Sequence, residues 1–499
     1  MKRYDVIVIG SGLSGLACGF MLANEGRRVC VVERHKIVGG CLQSFVRKGY
    51  SFDTGVHYVG SLDEGQIMRQ YLRYFGVEDK VELLRLDSDA FEVINICGRE
   101  YRLALGRERF VEQLASYFPE ERDGIQRFID LVMAVKDSIS VELLKKGQIS
   151  LDNYSQYMSV SVNEVIASHV TNPDLRGILA GSSVLYGGEK ETSAFYVYAM
   201  VVGTNIEGAY KILGGTQTLA DALAERIKVC GGEFVVGNGV CRLAMEDGKI
   251  TFAKLDDGEC ICADTYISTL HPKCTFDILD HGLPIKKAYR TRLNELKNTY
   301  GVFTVYIGLK PRSKRFENTN TFIHLSNDTW STEEKVLRGE WSMMVCEQPD
   351  SSKEWTETMM LHIPVYKSQL AGWADSMPMR RGDEYEKWKK DLTEACLRRY
   401  ERYYPSIREY ISYIGASSPL TYRDYTGTPD GTAYGIMKNS VNPLPTMFSV
   451  RTKVPNLLLS GQSLYVHGII GVTMTATITC AELLGNEYLA KRITANEDN

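Results

Sequence analysis

The chain opens on a nearly continuous apolar run, Tyr4-Asp5-Val6-Ile7-Val8-Ile9, which ends at once in glycine. A short run of this kind reads as a strand buried on both faces. Beyond it Leu16, Phe20 and Ala23 follow at helical spacing up to Glu25, and Arg28-Val29-Cys30-Val31-Val32 forms a second buried strand. The first 33 residues are therefore predicted to be a strand–turn–helix–strand unit.

Periodicity predicts further elements. Phe91 to Ile96 and Glu100 to Leu103 read as a hairpin about Cys97-Gly98-Arg99, and Phe110 to Tyr117 as a helix. Gly124 to Lys146 places Ile125, Phe128, Ile129, Leu131, Val132, Val135, Ile139 and Leu143 at helix spacing, a face that packs on a core or, as the alternative, lies on a membrane. Leu175 to Met200 is uncharged over much of its length and suits either ordinary packing or the wall of an apolar tunnel. A helix is expected from Gln217 to Cys230, a hairpin from Lys249 to Thr265, and a strand from Thr265 to Thr269. Phe303 to Leu309 is a strand by its β-branched and aromatic content, and Glu384 to Tyr404 is a helix with a charged, solvated face. Asn456 to Ser460 reads as a buried strand, after which Gly468 opens the last helix.

That final stretch, Gly468 to Leu484, is the one candidate for a membrane span. It is interrupted by Gly471 and four threonines and is short for a bilayer, so a buried helix is expected. The N-terminus enters the first strand almost at once, which leaves no room for a signal peptide. A cytoplasmic protein, at most peripheral to a membrane, is the expectation.

Composition narrows the class. A chain of 499 residues is long enough for two or three domains, and 44% hydrophobic with 24% charged residues fits a globular protein. The net charge of −4 gives no reason to expect a nucleic-acid partner. Twelve cysteines and eight histidines are scattered without a C-x-x-C pair or a zinc spacing, so no metal is expected and the thiols suit a reducing compartment. Cys260 and Cys262 lie two apart on an expected strand and face one side, as core or surface residues.

The chemistry sits in glycines. Gly10-Ser11-Gly12-Leu13-Ser14-Gly15 is a G-x-G-x-x-G in the strand-to-helix context that a dinucleotide requires. Gly10 permits the turn, Gly12 leaves room for a pyrophosphate, and Gly15 lets helix and strand pack closely; the amides of Leu13 and Ser14 open the helix. Glu33 ends the second strand, about twenty residues past the glycines, where a carboxylate accepts the ribose hydroxyls. Next come Arg34 and a loop with Gly39-Gly40-Cys41-Leu42, then Phe52-Asp53-Thr54-Gly55-Val56-His57-Tyr58-Val59-Gly60.

Glu33, the double glycine and the Asp53-to-Gly60 segment together resemble the FAD-dependent phytoene desaturase and carotenoid isomerase superfamily, nearest its retinol saturase branch, where a His-Tyr pair follows Asp-x-Gly. Many members carry an arginine after the double glycine; here Cys41 stands there. The likeness continues at Gly214-Gly215-Thr216, at Val240, at Thr426-Gly427, at Gly461-Gln462 and at Gly471-Val472-Thr473, and covers residues 4 to 485 in five blocks. It implies an α/β fold: a Rossmann-type FAD-binding domain of the glutathione-reductase and amine-oxidase kind, with a discontinuous mixed α+β substrate domain. Segments 1–67, 205–285 and 415–499 would form the first, 68–204 and 286–414 the second. It further implies that the cofactor is FAD, that Gly55 to His57 lie beside the flavin, and that the backbone of Val240 meets the adenine. A helix N-terminus near Gly471 would stabilise negative charge on the reduced ring. Only one complete dinucleotide fingerprint exists, so no separate nicotinamide domain is expected, and the electron donor or acceptor stays unidentified.

The implied activity is oxidoreduction or isomerisation at carbon–carbon double bonds of an apolar polyene, a retinoid, carotenoid or other isoprenoid. His57, supported by Tyr58, is the candidate proton donor, because imidazole titrates near neutral pH. Tyr210 and Tyr434 are weaker candidates. Two alternatives share the fold: a flavin amine oxidase, and a non-catalytic prenyl-binding module like the Rab escort and GDP-dissociation-inhibitor proteins.

Overall fold

The structure is a computed structural model and describes residues 1–138, 155–281 and 285–495. Its organising element is the opening strand Lys2–Ile9, which pairs in parallel with Val29–Glu33 on one side and Cys260–Ser268 on the other. The strand alternates between two cores. Val6, Val8 and Val31 face one, while Ile7, Ile9, Cys30 and Val32 face the other, the period of two that a sheet covered on both faces requires. Glu233–Val236 extends the parallel edge, Leu457–Leu459 pairs in parallel with Cys260–Ser268, and the hairpin Val240–Glu246 with Lys249–Leu255 closes the other edge antiparallel.

Every residue of the helix Leu13–Ala23 is buried. One side lies on the sheet; the rest is enclosed by the helices Gln217–Val229 and Gly468–Leu484, which share its core. A helix so enclosed has no polar face to keep. The threonines of Gly468–Leu484 are accommodated by bonding back onto their own helix: Thr473, Thr475 and Thr477 each donate to the carbonyl four residues earlier. Among the described residues no helix is long and apolar enough to cross a membrane.

A second sheet of seven strands follows the order Ile411–Ser417, Gly301–Leu309, Thr356–Val365, Met343–Pro349, Asn320–His324, Glu92–Ile96, Arg99–Leu103. Here too alternation decides what each face does. Phe303, Val305, Ile307, Leu361, Ile363, Met343 and Val345 pack outward beneath Tyr385, Cys396, Leu397 and Tyr400 of the helix Asp383–Tyr403. Tyr306, Met344, Cys346 and Met360 point the other way, into the core shared with the first sheet.

Four expectations differ from the structure. Cys260–Ser268 is a single nine-residue strand, since it is held along its length by Lys2–Ile9, so the hairpin does not run to Thr265. Gly468–Leu484 is followed by one more helix, Asn486–Thr494, which packs Leu489, Ala490 and Ile493 into the core. The helix expected over Gly124 to Lys146 runs Arg122–Asp137; Ile139 and Leu143 lie outside the described residues. The strand Ile411–Ser417 crosses the boundary expected at 414/415, because it pairs antiparallel with Gly301–Leu309 in the second sheet.

Candidate functional site

A cavity of about 670 Å³ runs from the carboxyl end of the opening strand to the inner face of the second sheet. At its first end the walls are backbone. Gly10 turns the chain with φ +98°, and its N–H donates to the Val32 carbonyl at 2.8 Å. Gly12 caps the helix without any side-chain acceptor, and no acid stands in the first turn, so the amides there keep their positive potential. A Cβ added at Gly12 would meet nothing within 4 Å, whereas one at Gly15 would lie 1.9 Å from the Gly10 carbonyl oxygen. Gly12 thus opens onto the cavity and Gly15 closes the helix onto the strand; Gly15 itself does not line the cavity.

Glu33 is held ready by the protein. Ser11 donates to its Oε2 through N–H (2.9 Å) and hydroxyl (2.7 Å), and His35 N–H donates to Oε1 at 2.7 Å. Gly39 docks on the first loop through N–H to the Ser11 carbonyl (2.9 Å), and a Cβ at Gly40 would sit 3.1 Å from the Gly12 Cα. Arg34, Cys41, Leu42, Val240, Gly461 and Gln462 all line the cavity. Burial pushes the Cys41 thiol up to about 11, so a neutral thiol occupies the place where many members of the resembled superfamily carry arginine.

The second helix N-terminus aims at the middle of the cavity. His467 caps Gly468–Leu484 without a side-chain bond, its first turn holds no acid, and Ile469 to Val472 line the wall. Thr473 does not: fully buried, it donates to the Ile469 carbonyl and faces away. The loop before this helix is pinned by a residue that sequence reasoning missed. Lys438, buried, donates to the carbonyls of Thr446, Ser463 and Leu464 at 2.7, 2.8 and 2.7 Å, and burial pushes its ammonium down to about 7. No motif marks it, since its partners are backbone oxygens.

These two bare helix ends, the open face of Gly12 and the preorganised Glu33 fit a dinucleotide carrying a flavin. Amides meet the pyrophosphate, the carboxylate meets the ribose, and the Gly468–Leu484 end meets the ring.

Side chains build the far end. Gly55, Val56, His57 and Tyr58 line it, with Val184, Leu185, Met200, Val201, Met344 and His362. The rings of His57 and His362 lie 4.1 Å apart between centroids. Burial pushes His57 down to about 3, with the Lys211 ammonium acting in the same direction, and holds His362 well below its usual range. Both are neutral at neutral pH, so the expectation that His57 supplies a proton as imidazolium loses its basis: desolvation removes the charged form.

The tyrosines separate by partner. Tyr434 donates to the Val184 carbonyl at 2.6 Å and stacks on His467 at 4.3 Å between centroids. Tyr422 donates to the Thr54 carbonyl. Tyr58 donates to the carboxyl of Glu92, which burial pushes up to about 7. Tyr210 is not in the cavity: its hydroxyl donates to Asp63 at 2.7 Å, beside the Arg85–Asp63 ion pair. Pairing of Tyr210–Leu213 with Glu82–Arg85 turns it there, and it drops from the candidate proton donors. Glu92, which no motif announces, takes a place in the site.

The family model described as flavin containing amine oxidoreductase matches residues 13–484. Human all-trans-retinol 13,14-reductase is 26% identical over 97% of this chain and 86% of its own length. Prolycopene isomerase of Arabidopsis thaliana is 24% identical over 98% and 84%. Among solved structures, an oxidoreductase from Methanosarcina mazei superposes with TM-score 0.63 at 16% identity, covering 95% of this chain and 99% of its own. Putrescine oxidase bound to putrescine gives TM-score 0.65 at 14% identity over 96% and 99%. The chain belongs to the flavin containing amine oxidoreductase family, and its cofactor is FAD.

Proposed function

We propose that this member of the flavin containing amine oxidoreductases carries out oxidoreduction at a carbon–carbon double bond of an apolar polyene of the retinoid or carotenoid kind. The observation that carries the reading is the character of the cavity's far end. Its wall is largely aliphatic and aromatic, with His57 and His362 as its imidazoles, and among the described residues the carboxylates lining the cavity, Glu33 and Asp256, belong to the nucleotide end. The Glu92 carboxyl lies buried behind Tyr58 and is bonded to its hydroxyl, so an ammonium substrate would meet no counter-ion in the wall itself, and the Tyr434–His467 stack leaves no slot between its rings for an amine. The retinol reductase and prolycopene isomerase relatives support the same substrate class.

When bound, the flavin supplies hydride exchange with one alkene carbon. The chain's own work is to exclude water, orient the polyene and manage one proton. Val184, Leu185, Met200 and Met344 give the apolar surface against which a conjugated chain lies. Tyr58 is the cavity phenol backed by an acid, and in this reading its O–H serves the second alkene carbon. With Glu92 protonated, the carboxylic acid donates to the phenol oxygen and frees the phenol hydrogen for the cavity; with Glu92 ionised, it takes that hydrogen back. Reduction and desaturation use the pair in opposite directions. The cofactor domain in this reading comprises 1–67, 205–285 and the chain after Ser417.

Anaerobic photoreduction of the holoenzyme, followed by addition of retinoid or carotenoid polyenes, tests the proposal through flavin reoxidation. Polyenes are expected to reoxidise the flavin, and putrescine-like amines are expected not to reduce the oxidised enzyme. Reduction by amines with no response to any polyene would overturn it.

A further inference from the structure

The second sheet brings three potential metal ligands together on the cavity side. Cys346 and His362 lie on neighbouring antiparallel strands, where Cys346 is paired with Met360 and Met344 with His362, so the two side chains emerge from one face as diagonal neighbours. His57 comes from the loop after Tyr50–Asp53 and lays its ring against His362. The ligand atoms of His57, Cys346 and His362 all lie within 4.8 Å of one another, and among the described residues they form a group of metal-ligand composition.

A second observation points to a ligand. His57 Nδ1 and His362 Nε2 are buried with no hydrogen-bond partner. Unpaired buried polar atoms cost roughly 1–3 kcal/mol each, and two on facing rings call for an occupant. The other nitrogen of His362, Nδ1, lies 3.0 Å from the Thr304 hydroxyl, which can accept from an Nδ1–H and so leave Nε2 as the free lone pair.

We propose that His57, His362 and Cys346 form a binding site for a borderline-soft divalent cation, zinc above all, with a fourth position reached from the cavity and open to water or a substrate oxygen. Two neutral imidazoles and one thiolate are a donor set for such an ion, and harder cations prefer oxygen. Ligands at zinc distances lie about 3.5 Å apart, so the cluster has to contract by about an ångström to close onto an ion. Binding is ligand exchange: the Cys346 thiol releases one proton as the sulfur–metal bond forms, and no electron moves. Burial opposes thiolate formation at Cys346, and the nearby Lys211 ammonium favours it. The site stands independently of the polyene reading, because its readout is the metal itself.

Cobalt(II) is the probe. The FAD-loaded full chain, stripped with a chelator and kept anaerobic, is titrated with cobalt and read by difference absorption. One equivalent should give a near-ultraviolet thiolate charge-transfer band and tetrahedral d–d bands to the red of the flavin, both abolished by zinc. Cys346→Ser should remove the charge-transfer band, and His362→Ala should weaken binding by more than about tenfold; Thr304→Val should weaken it about 10–100-fold with all three ligands present. Flavin content reports folding of each variant, and Thr304→Val carries the test if Cys346→Ser loses flavin. His324, buried with an unpaired Nε2 but outside the cluster, is the control: His324→Ala should leave the bands unchanged. Absence of a stoichiometric band, its persistence in Cys346→Ser, or equal loss in His324→Ala would overturn the site.

Discussion

The two ends of the cavity are made of different material. At the nucleotide end the working groups are amides and glycine Cα atoms, supplied by contiguous stretches: Gly10 to Ser14, Gly39-Gly40, and Gly461-Gln462 with Ile469 to Val472. At the substrate end they are side chains drawn from distant strands and loops: His57, Tyr58 and Glu92, Met344, His362 and Tyr434. A backbone cradle tolerates change in side chains but none in the glycines, whereas a side-chain pocket has the opposite sensitivity. One end therefore recognises a fixed cofactor, and the other is free to define a substrate.

That contrast breaks most sharply at two glycines three residues apart in sequence. Gly15→Val places a Cβ against the Gly10 carbonyl, 1.9 Å away, so the helix cannot stay on its strand and a loss above about 4 kcal/mol is expected. The measure is recovery of folded protein. Gly12→Val directs its side chain into open cavity instead, so a folded but colourless protein is expected, read from flavin absorbance against circular dichroism. Full flavin occupancy in a folded Gly12→Val would remove the pyrophosphate from this loop.

The next test moves to the far end. Tyr58→Phe should keep flavin and lower polyene-dependent flavin reoxidation by about 10²-fold or more, the range for loss of a general acid–base group. An unchanged rate would leave Tyr58 as packing alone.

Glu92 ties that end to stability. Its native pKa of about 7 stands above the ordinary 4.5, so the protonated form is the one the fold favours. Stability is fully present below pH 4.5 and declines as pH rises toward 7, by up to about 3 kcal/mol. Glu92→Gln should flatten that decline, which chemical denaturation across this pH range measures; a parallel slope in both proteins would show that Glu92 is not the group.

The smallest effect is expected at Tyr210→Phe. Its hydroxyl serves a partly exposed Arg85–Asp63 pair, so about 1 kcal/mol or less of stability and no change in flavin reoxidation are expected. A marked fall in rate would return Tyr210 to the chemistry.

What the sequence by itself determined is the part whose physics is local. The continuous apolar run Val6 to Ile9, the spacing of Gly10, Gly12 and Gly15, and the acid at Glu33 all act within one strand–helix–strand unit, so fold class and cofactor were readable before any contact was known. The long strand Gly301–Leu309 was readable for the same reason. Tertiary structure alone decided the rest. Whether Tyr210 or Tyr58 reaches the cavity depends on a pairing between Glu82–Arg85 and Tyr210–Leu213, residues more than a hundred positions apart. Glu92 meets Tyr58 and His362 meets His57 only after distant segments have packed on one another, and Lys438 meets three carbonyls only once its own loop has folded around it. Burial then sets the protonation of each, because desolvation is a property of the assembled interior and not of any residue's identity.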